Sequence, residues 1–130
     1  MLLDANILLL PVRTGFPLEQ EIDRLVPGAE LAVPRSVLAE IDRLAERGVA
    51  GARAARALAG RYPAVRTEGR GDDAIVRVAV AGRLPVVTAD RHLQTRLSAQ
   101  GVAVLAPRDR HRLELHAPRT RRPSPRTRSG

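Results

Sequence analysis

Short apolar segments alternate along this chain with segments whose apolar residues recur at helical spacing. The apolar segments, which we interpret as strands, lie at 1–3, 30–33, 84–88 and 102–105. The helical segments lie at 17–26, 34–47, 51–60, 72–82 and 90–100. In the fourth of these, alternating apolar residues also fit a strand, but two acids at its start and a glycine at its end favour a helix. The alternation predicts an α/β fold, a three-layer α/β/α sandwich with a central parallel sheet.

Positive charge is concentrated at the end of the chain. The 130 residues carry a formal net charge of +8, and all 22 basic residues are Arg. Residues 1–105 hold 14 Arg and 12 acids, whereas residues 106–130 hold 8 Arg and 2 acids. We therefore predict one nearly neutral domain over 1–106 and a basic, disordered tail over 107–130, with one short element open at 111–115. A basic tail suits a polyanionic partner, and it equally suits a solubilising end.

The composition excludes several classes of function. The chain has no Cys, which excludes a disulfide framework, a thiolate metal site and a cysteine nucleophile. Aromatic residues make up only 2%, which argues against an extended stacking surface for single-stranded nucleic acid. No apolar run approaches the ~18 residues of a membrane span, and no basic segment precedes the apolar start. We expect a cytoplasmic protein with no signal peptide and no membrane contact.

Several carboxylates are expected near one edge of the predicted sheet. Asp4 follows the first strand, Asp90 follows the strand at 84–88, and Asp72 and Asp73 begin a helix. Glu40 lies inside a helix, about 40° outside its apolar stripe. Taken singly, Asp72, Asp73 or Asp90 reads as a helix cap that contributes roughly 0.5–2 kcal/mol. Glu40 taken singly reads as a solvated or ion-paired residue.

Asp4 is harder to explain as a structural residue, because apolar residues flank it on both sides in MLLDANILLL. A carboxylate in such surroundings costs free energy unless another group compensates it. Carboxylates that converge on one edge raise each other's pKa, and a bound divalent cation would supply the missing counter-charge. Oxygen ligands without His or Cys suit Mg²⁺ or Mn²⁺. This chemistry fits phosphodiester hydrolysis by a water molecule that a metal ion activates.

Four short blocks give the chain a family resemblance over about residues 1–105. They are LDANIL at 3–8, VPRSVLAE at 33–40, DDAI at 72–75 and VTADR at 87–91. In this order and spacing they resemble the blocks of PIN-domain ribonucleases. The resemblance implies that Asp4, Asp72 and Asp90 bind the metal and that Glu40 binds it directly or through water. It also implies that Asn6 and Thr88 orient these groups and their waters.

The resemblance also separates the two adjacent acids of the third block. Asp90 lies 18 residues after Asp72, and this gap fits the family better than the gap from Asp73. We therefore assign Asp72 as the ligand and keep Asp73 as the second choice. Arg91 follows Asp90 directly and is a candidate for contact with nucleic acid, although its reading as a surface residue at a helix start is stronger.

The resemblance implies a divalent-metal-dependent endoribonuclease. Ribosome-biogenesis endonucleases that cut precursor rRNA, archaeal toxin-like PIN proteins and VapC-type toxins are the branches most similar in sequence. They imply an RNA substrate, an antitoxin or a ribosomal partner, and a homodimer. Only three residues precede Asp4, fewer than the ~5–6 of a usual strand, which leaves open a start upstream of Met1. The basic tail is not part of the family pattern.

Three other functions were weighed against this interpretation. A non-catalytic PIN fold that binds RNA or protein stays open, because Arg residues hold phosphates without reading sequence. A dinucleotide site at GRGDDA (69–74) is disfavoured, because two carboxylates would lie where a pyrophosphate should bind. A phosphatase of the haloacid dehalogenase type needs a second Asp as general acid two residues after the first, and that position holds Asn6.

Overall fold

The structure, a computed structural model, describes residues 1–118. Within them the chain forms six helices and six strands. The helices are α1 (Ala5–Thr14), α2 (Leu18–Leu25), α3 (Arg35–Glu46), α4 (Ala52–Ala59), α5 (Gly71–Gly82) and α6 (Arg91–Ala99). The strands are β1 (Leu2–Leu3), β2 (Val33–Pro34), β3 (Ala64–Val65), β4 (Val86–Val87), β5 (Val104–Pro107) and β6 (Leu113–His116). All five predicted helices are present, and so are all four predicted strands.

The main sheet has the strand order β1-β4-β5-β6. β1 pairs with β4 and β4 pairs with β5 in parallel, whereas β6 pairs antiparallel to β5 at the edge. A second pair, β2 and β3, is parallel. Ala32 joins the two, because it accepts from Leu3 N at 3.0 Å and donates to Met1 O at 2.9 Å. The predicted α/β class with a mostly parallel central sheet is confirmed.

The central strands are fully buried. Six of their residues have 0–1% of their surface exposed: Leu2, Leu3, Val86, Val87, Val104 and Leu105. Strands covered on both faces consist of continuous apolar runs, which explains why these segments do not alternate with polar residues. α2 packs on β6, α6 packs on β5, and α1, α3 and α4 pack together. Among the helices of residues 1–118, none has the length and apolar composition needed to cross a membrane.

Helix α1 is not predicted by the sequence, because Pro11 reads as the end of the apolar start. Pro11 instead lies inside the helix. The helix begins after Asp4 and ends at Gly15, whose positive φ of 72° lets its amide reach the carbonyl of Pro11 at 2.9 Å. A proline inside a helix removes one backbone hydrogen bond. Burial of Ile7 and Leu8, both fully covered, offsets that loss.

Folded structure extends past the predicted domain end at residue 106. β5 runs to Pro107, and β6 covers part of the predicted tail. Leu113 is buried at 1% exposure, its amide donates to Glu21 Oε1 at 2.9 Å, and its carbonyl accepts from Arg24 Nη2 at 2.9 Å. These contacts hold β6 against α2. Residues 119–130 of the predicted tail lie outside the described residues.

Candidate active site

Asp4 lies at the carboxyl end of β1, and only 5% of its surface is exposed. Its backbone amide donates to Val87 O at 3.1 Å, which places it beside the end of β4. Its Oδ1 accepts from Ala5 N at 2.8 Å and so caps α1. Its Oδ2 accepts from Thr88 Oγ1 at 2.6 Å. The sheet and the helix start together hold this carboxylate in one orientation.

Thr88 connects Asp4 to Asp90. Thr88 is fully buried, and its amide donates to Leu105 O at 3.0 Å in the neighbouring strand. Its hydroxyl donates to Asp4 and accepts from Asp90 N at 3.1 Å. Asp90 Oδ1 in turn accepts from Leu93 N at 3.1 Å and caps α6. One hydroxyl therefore positions two of the predicted acids.

Asn6 is the second polar partner of Asp4. Its Nδ2 donates to Asp4 Oδ2 at 3.2 Å. Its Oδ1 accepts from Ala89 N at 3.0 Å, a contact between the first turn of α1 and the loop after β4. An amide side chain can donate to a carboxylate and accept from a backbone amide at once, whereas a carboxylate cannot donate. The two contacts explain why Asn is suited to this position.

The four acids Asp4, Glu40, Asp72 and Asp90 influence one another electrostatically. Burial raises the pKa of Asp4, the hydrogen bond from Thr88 opposes this, and the charges of Asp72 and Asp90 raise the pKa further. Burial also raises the pKa of Glu40, and the charge of Asp4 adds to that effect. Carboxylates so placed repel each other and favour a nearby positive charge.

Asp72 and Asp73 differ in their surroundings. Burial is the largest cause that raises the pKa of Asp72, and the charge of Asp90 raises it further. The charge of Arg96 lowers it. Asp73 is exposed and forms an ion pair with Arg96 at 2.8 Å between Oδ1 and Nη2. Neither acid caps α5, whose N-cap is Arg70 with no side-chain cap. Asp72 is thus coupled to the other acids, whereas Asp73 contacts α6.

A sequence profile of the PIN-like domain matches residues 1–110. The chain belongs to the PIN-like domain family. This confirms the resemblance found in the sequence. The structure of the PIN domain endonuclease Utp24 is similar, with a TM-score of 0.74 and 21% sequence identity. The match covers 89% of this chain and 91% of that chain, and at this identity it supports the fold. No curated protein matches the chain.

In this PIN-like domain the carboxylates are coupled but not gathered around a single point. Within residues 1–118, no three His, Asp or Glu side chains stand close enough to hold one metal ion. Glu40, Asp72 and Asp90 are half-buried, and Asp90 is held by its cap on α6. Arg91 is exposed at the start of α6 and faces a polar hollow of about 330 Å³.

Sequence reasoning did not find Gln94, which also supports the end of β4. Its Nε2 donates to Thr88 O at 3.2 Å. Gln94 lies one helical turn after Asp90, and that spacing is the only local signal of its role. Arg108 and Arg110, which the sequence assigns to the tail, line an apolar hollow that borders the loop after β4.

Proposed function

We propose that this PIN-like domain is a divalent-metal-dependent endoribonuclease. Asp4, Asp72 and Asp90 would hold Mg²⁺ or Mn²⁺, and Glu40 would bind directly or through water. The observation that carries the proposal is the buried Asp4 carboxylate, held by Thr88 and Asn6 and coupled to three other carboxylates at the carboxyl edge of the sheet. The likeness to the PIN domain endonuclease Utp24 supports the nuclease class.

The donor set fits a hard divalent cation. Four carboxylates offer only oxygen ligands, which suit Mg²⁺ and Mn²⁺. Burial, and then the neighbouring carboxylates, raise the pKa of Asp4, Glu40 and Asp72, and a divalent cation would offset that repulsion. Because no three acids within residues 1–118 stand at ligating distance, we expect the half-buried side chains of Glu40 and Asp72 to turn toward Asp4 and Asp90 when the ion binds. The residues therefore fit a divalent cation in the type of ligand that they offer and in their negative charge.

The protein's own groups prepare the site for an RNA phosphodiester. A bound divalent cation would supply charge neutralisation and water activation. Thr88 and Asn6 fix the Asp4 carboxylate, and the cap on α6 fixes Asp90. Ligands whose orientation is fixed need no reorganisation when substrate binds, and this is a main source of catalytic advantage. Asp72 enters from α5, which allows it to adjust to the substrate.

Replacement of Asp4 by Asn tests the proposal. We expect Asp4→Asn to lower cleavage of single-stranded RNA by more than about 100-fold, because loss of groups that only support a ligand already costs 10–100-fold. Asp42→Asn is the matched control, since Asp42 is exposed and pairs with Arg56 at 2.9 Å. Circular dichroism would verify that both variants fold. Equal cleavage by wild type and Asp4→Asn would contradict the metal-site assignment.

A thermal melt tests the metal separately. A ligand that binds only the folded state stabilises it by about 2.7 kcal/mol when the free ligand concentration is 100 times the dissociation constant. We expect Mn²⁺ to raise the melting temperature relative to EDTA in the wild type and in Asp42→Asn, but not in Asp4→Asn.

A non-catalytic RNA-binding module is the second candidate, and the separation of the carboxylates favours it. In that case wild type would bind RNA without cutting it at any metal concentration, and Asp4→Asn would bind equally well. The antitoxin, the ribosomal partner and the homodimer stay predictions of the resemblance, and the cytoplasmic location stays a prediction from the sequence.

A further inference from the structure

We propose that an apolar hollow beside the four acids holds one base of the RNA strand, with Arg108 and Arg110 binding the phosphates next to it. The inference rests on the proposed function, since it names a subsite for the same substrate. The hollow has a volume of about 420 Å³ and lies between the end of α1 and the turn from β5 to β6. That volume lies within the range of small-molecule sites.

The walls of the hollow are mostly apolar. Leu10 and Phe16 contribute from the α1 side, Ala89 from the loop after β4, and Pro107 from the end of β5. Phe16 is only 3% exposed, so its ring is fixed by the core. A nucleobase buries its faces against such surfaces and needs few polar partners there. A single hollow of this kind is compatible with the low aromatic content of the chain.

The hollow adjoins the candidate active site through Ala89. The amide of this residue donates to Asn6 Oδ1 at 3.0 Å, and Asn6 Nδ2 donates to Asp4 Oδ2 at 3.2 Å. Two hydrogen bonds thus connect the wall of the hollow to the buried carboxylate. We therefore expect a strand with one base in the hollow to continue toward Asp4.

Positive charge lies at the mouth of the hollow. Arg108, Asp109 and Arg110 are all exposed and all line it, so two positive charges stand against one negative charge. Asp109 lies between them, but its carboxylate accepts from His111 N at 2.8 Å and from Arg112 N at 3.0 Å, which engages it within the turn. Arg108 N donates to Arg112 O at 2.8 Å and closes the turn. The turn is therefore fixed, and two guanidinium groups remain for phosphate.

A second hollow continues this surface toward α6. The polar hollow shares Ala89 and Pro107 with the apolar one and adds Arg91 and Gln94 to its lining. The two hollows form a surface with an apolar site and cationic groups on both sides. An RNA strand matches this pattern, because its bases are apolar on their faces and its phosphates are anionic. An acidic peptide with one large apolar side chain is the competing occupant.

Binding of a fluorescein-labelled, eight-nucleotide single-stranded RNA, followed by anisotropy in EDTA, tests the arginines without cleavage. We expect Arg108→Ala and Arg110→Ala each to weaken binding about three- to tenfold. Each should also reduce the slope of log K against log salt by about 0.7, the value for one phosphate contact on a single strand. Arg112→Ala is the matched control, because Arg112 carries the same charge in the same turn and does not line the hollow. Equal losses in all three variants would overturn the proposal.

Oligonucleotides that lack one base test the hollow itself. Removing the base at one position of the RNA should weaken binding to wild type about fivefold or more, because the apolar area that one base buries in the hollow is lost. Leu10→Trp fills the hollow, and a melt checks that it folds. In that variant the same abasic position should have no effect. Equal tolerance of abasic sites at all positions would show that no base is held, and would favour the peptide.

Failure of the subsite and failure of the proposed function are distinguishable. If the protein cleaves RNA but its binding does not depend on any base, the subsite is contradicted and the nuclease function stands. If binding depends on a base but no metal concentration gives cleavage, the nuclease function is contradicted and the site for single-stranded RNA stands.

Discussion

The Thr88 hydroxyl lies between two residues of the candidate site and serves both. It donates to the buried carboxylate of Asp4 and accepts from the amide of Asp90. A hydroxyl can do both at once, because it carries one donor and two acceptor sites. At the scale of single residues, the site therefore depends on one side chain that does not itself carry charge.

Replacement of Thr88 by Val should destabilise the protein. The change keeps the shape but leaves the Asp4 carboxylate and the Asp90 amide without their partner. Loss of such a partner costs about 1–3 kcal/mol of unfolding free energy. Urea denaturation measures this cost, and Thr88→Ser should restore most of it. Thr95→Val is the control, because Thr95 is exposed and, among residues 1–118, its hydroxyl bonds only to Arg91 O in its own helix. Comparable losses in the two Val variants would contradict this role.

The acids should also make stability depend on pH when metal is absent. The pKa values of Asp4, Glu40 and Asp72 are raised in the folded state, mainly by burial. The folded protein therefore binds these protons more tightly than the unfolded chain does. Their contribution is fully present below the ordinary carboxyl pKa of about 4 and is lost as pH rises through the raised values.

The melting temperature in EDTA should consequently rise as pH falls from 7 to 5, and the rise should be smaller in Asp4→Asn. Hydrogen bonds lower the pKa of Glu21 and of Asp109, so both stay ionised across this range. Comparing the two proteins cancels the contributions of His92, Arg43 and Arg96, which lie near the acids. Parallel pH profiles for wild type and variant would contradict the assignment of Asp4.

At the scale of elements, the contact between α2 and β6 decides where the folded domain ends. Glu21 is 8% exposed, accepts from the amide of Leu113 and pairs with Arg24 at 2.9 Å. Arg24 also donates to the carbonyl of Leu113. The strand is thus held at its buried residue by both backbone groups. Because the Glu21 carboxylate and the Leu113 amide are buried, their hydrogen bond contributes more than an exposed ion pair.

Glu21→Ala should lower the free energy of unfolding by about 1–3 kcal/mol, since it leaves a buried amide and a guanidinium without their acceptor. In this variant, hydrogen exchange at the Leu113 amide should accelerate more than hydrogen exchange at the other backbone amides of the sheet does on average. Asp42→Ala is the control, because it breaks the ion pair between Asp42 and Arg56, whose two side chains are 53% and 40% exposed respectively. This change should lower the free energy of unfolding by less than about 1 kcal/mol. Unchanged exchange at Leu113 would contradict the anchoring role.

At the scale of the whole molecule, β6 belongs to the folded domain although its sequence begins the basic region. Leu113 fills the core, and four residue pairs join β6 to β5 from Val104↔His116 to Pro107↔Leu113. This pairing brings Arg108 and Arg110 back toward the end of β4. Two arginines that the linear sequence assigns to a tail thereby line the same hollow as Ala89, the residue before Asp90.

Truncation separates the domain from the rest of the chain. A chain that ends at residue 118 should melt within a few degrees of the full chain. A chain that ends at residue 106 should be destabilised by at least about 2–5 kcal/mol, the cost of removing one large buried side chain together with its contacts. Calorimetry on the two proteins measures the difference. Equal stability would restore the boundary at residue 106 that the sequence predicts.

The class of fold and the identity of the candidate acids could be predicted from the sequence. The spacing of apolar residues and the residues that start or end a segment are local properties of the sequence. Five helices and the four predicted strands therefore follow from neighbouring residues alone. The blocks around Asp4, Glu40 and Asp90 are also local, because each carboxylate follows a strand or lies in the first turns of a helix. The family assignment confirms this interpretation, while the roles of the individual acids stay predictions.

Features that depend on contacts between distant residues could not be predicted from the sequence. Pro11 ends a helix by local rules, and burial of Ile7 and Leu8 overrides them in α1. β6 has a weak local pattern and exists because Leu113 bonds to Glu21, 92 residues away in sequence. Asp72 and Asp73 differ in environment because α5 packs beside Arg96 of α6. Burial and charge act between elements, and no local pattern specifies which elements meet.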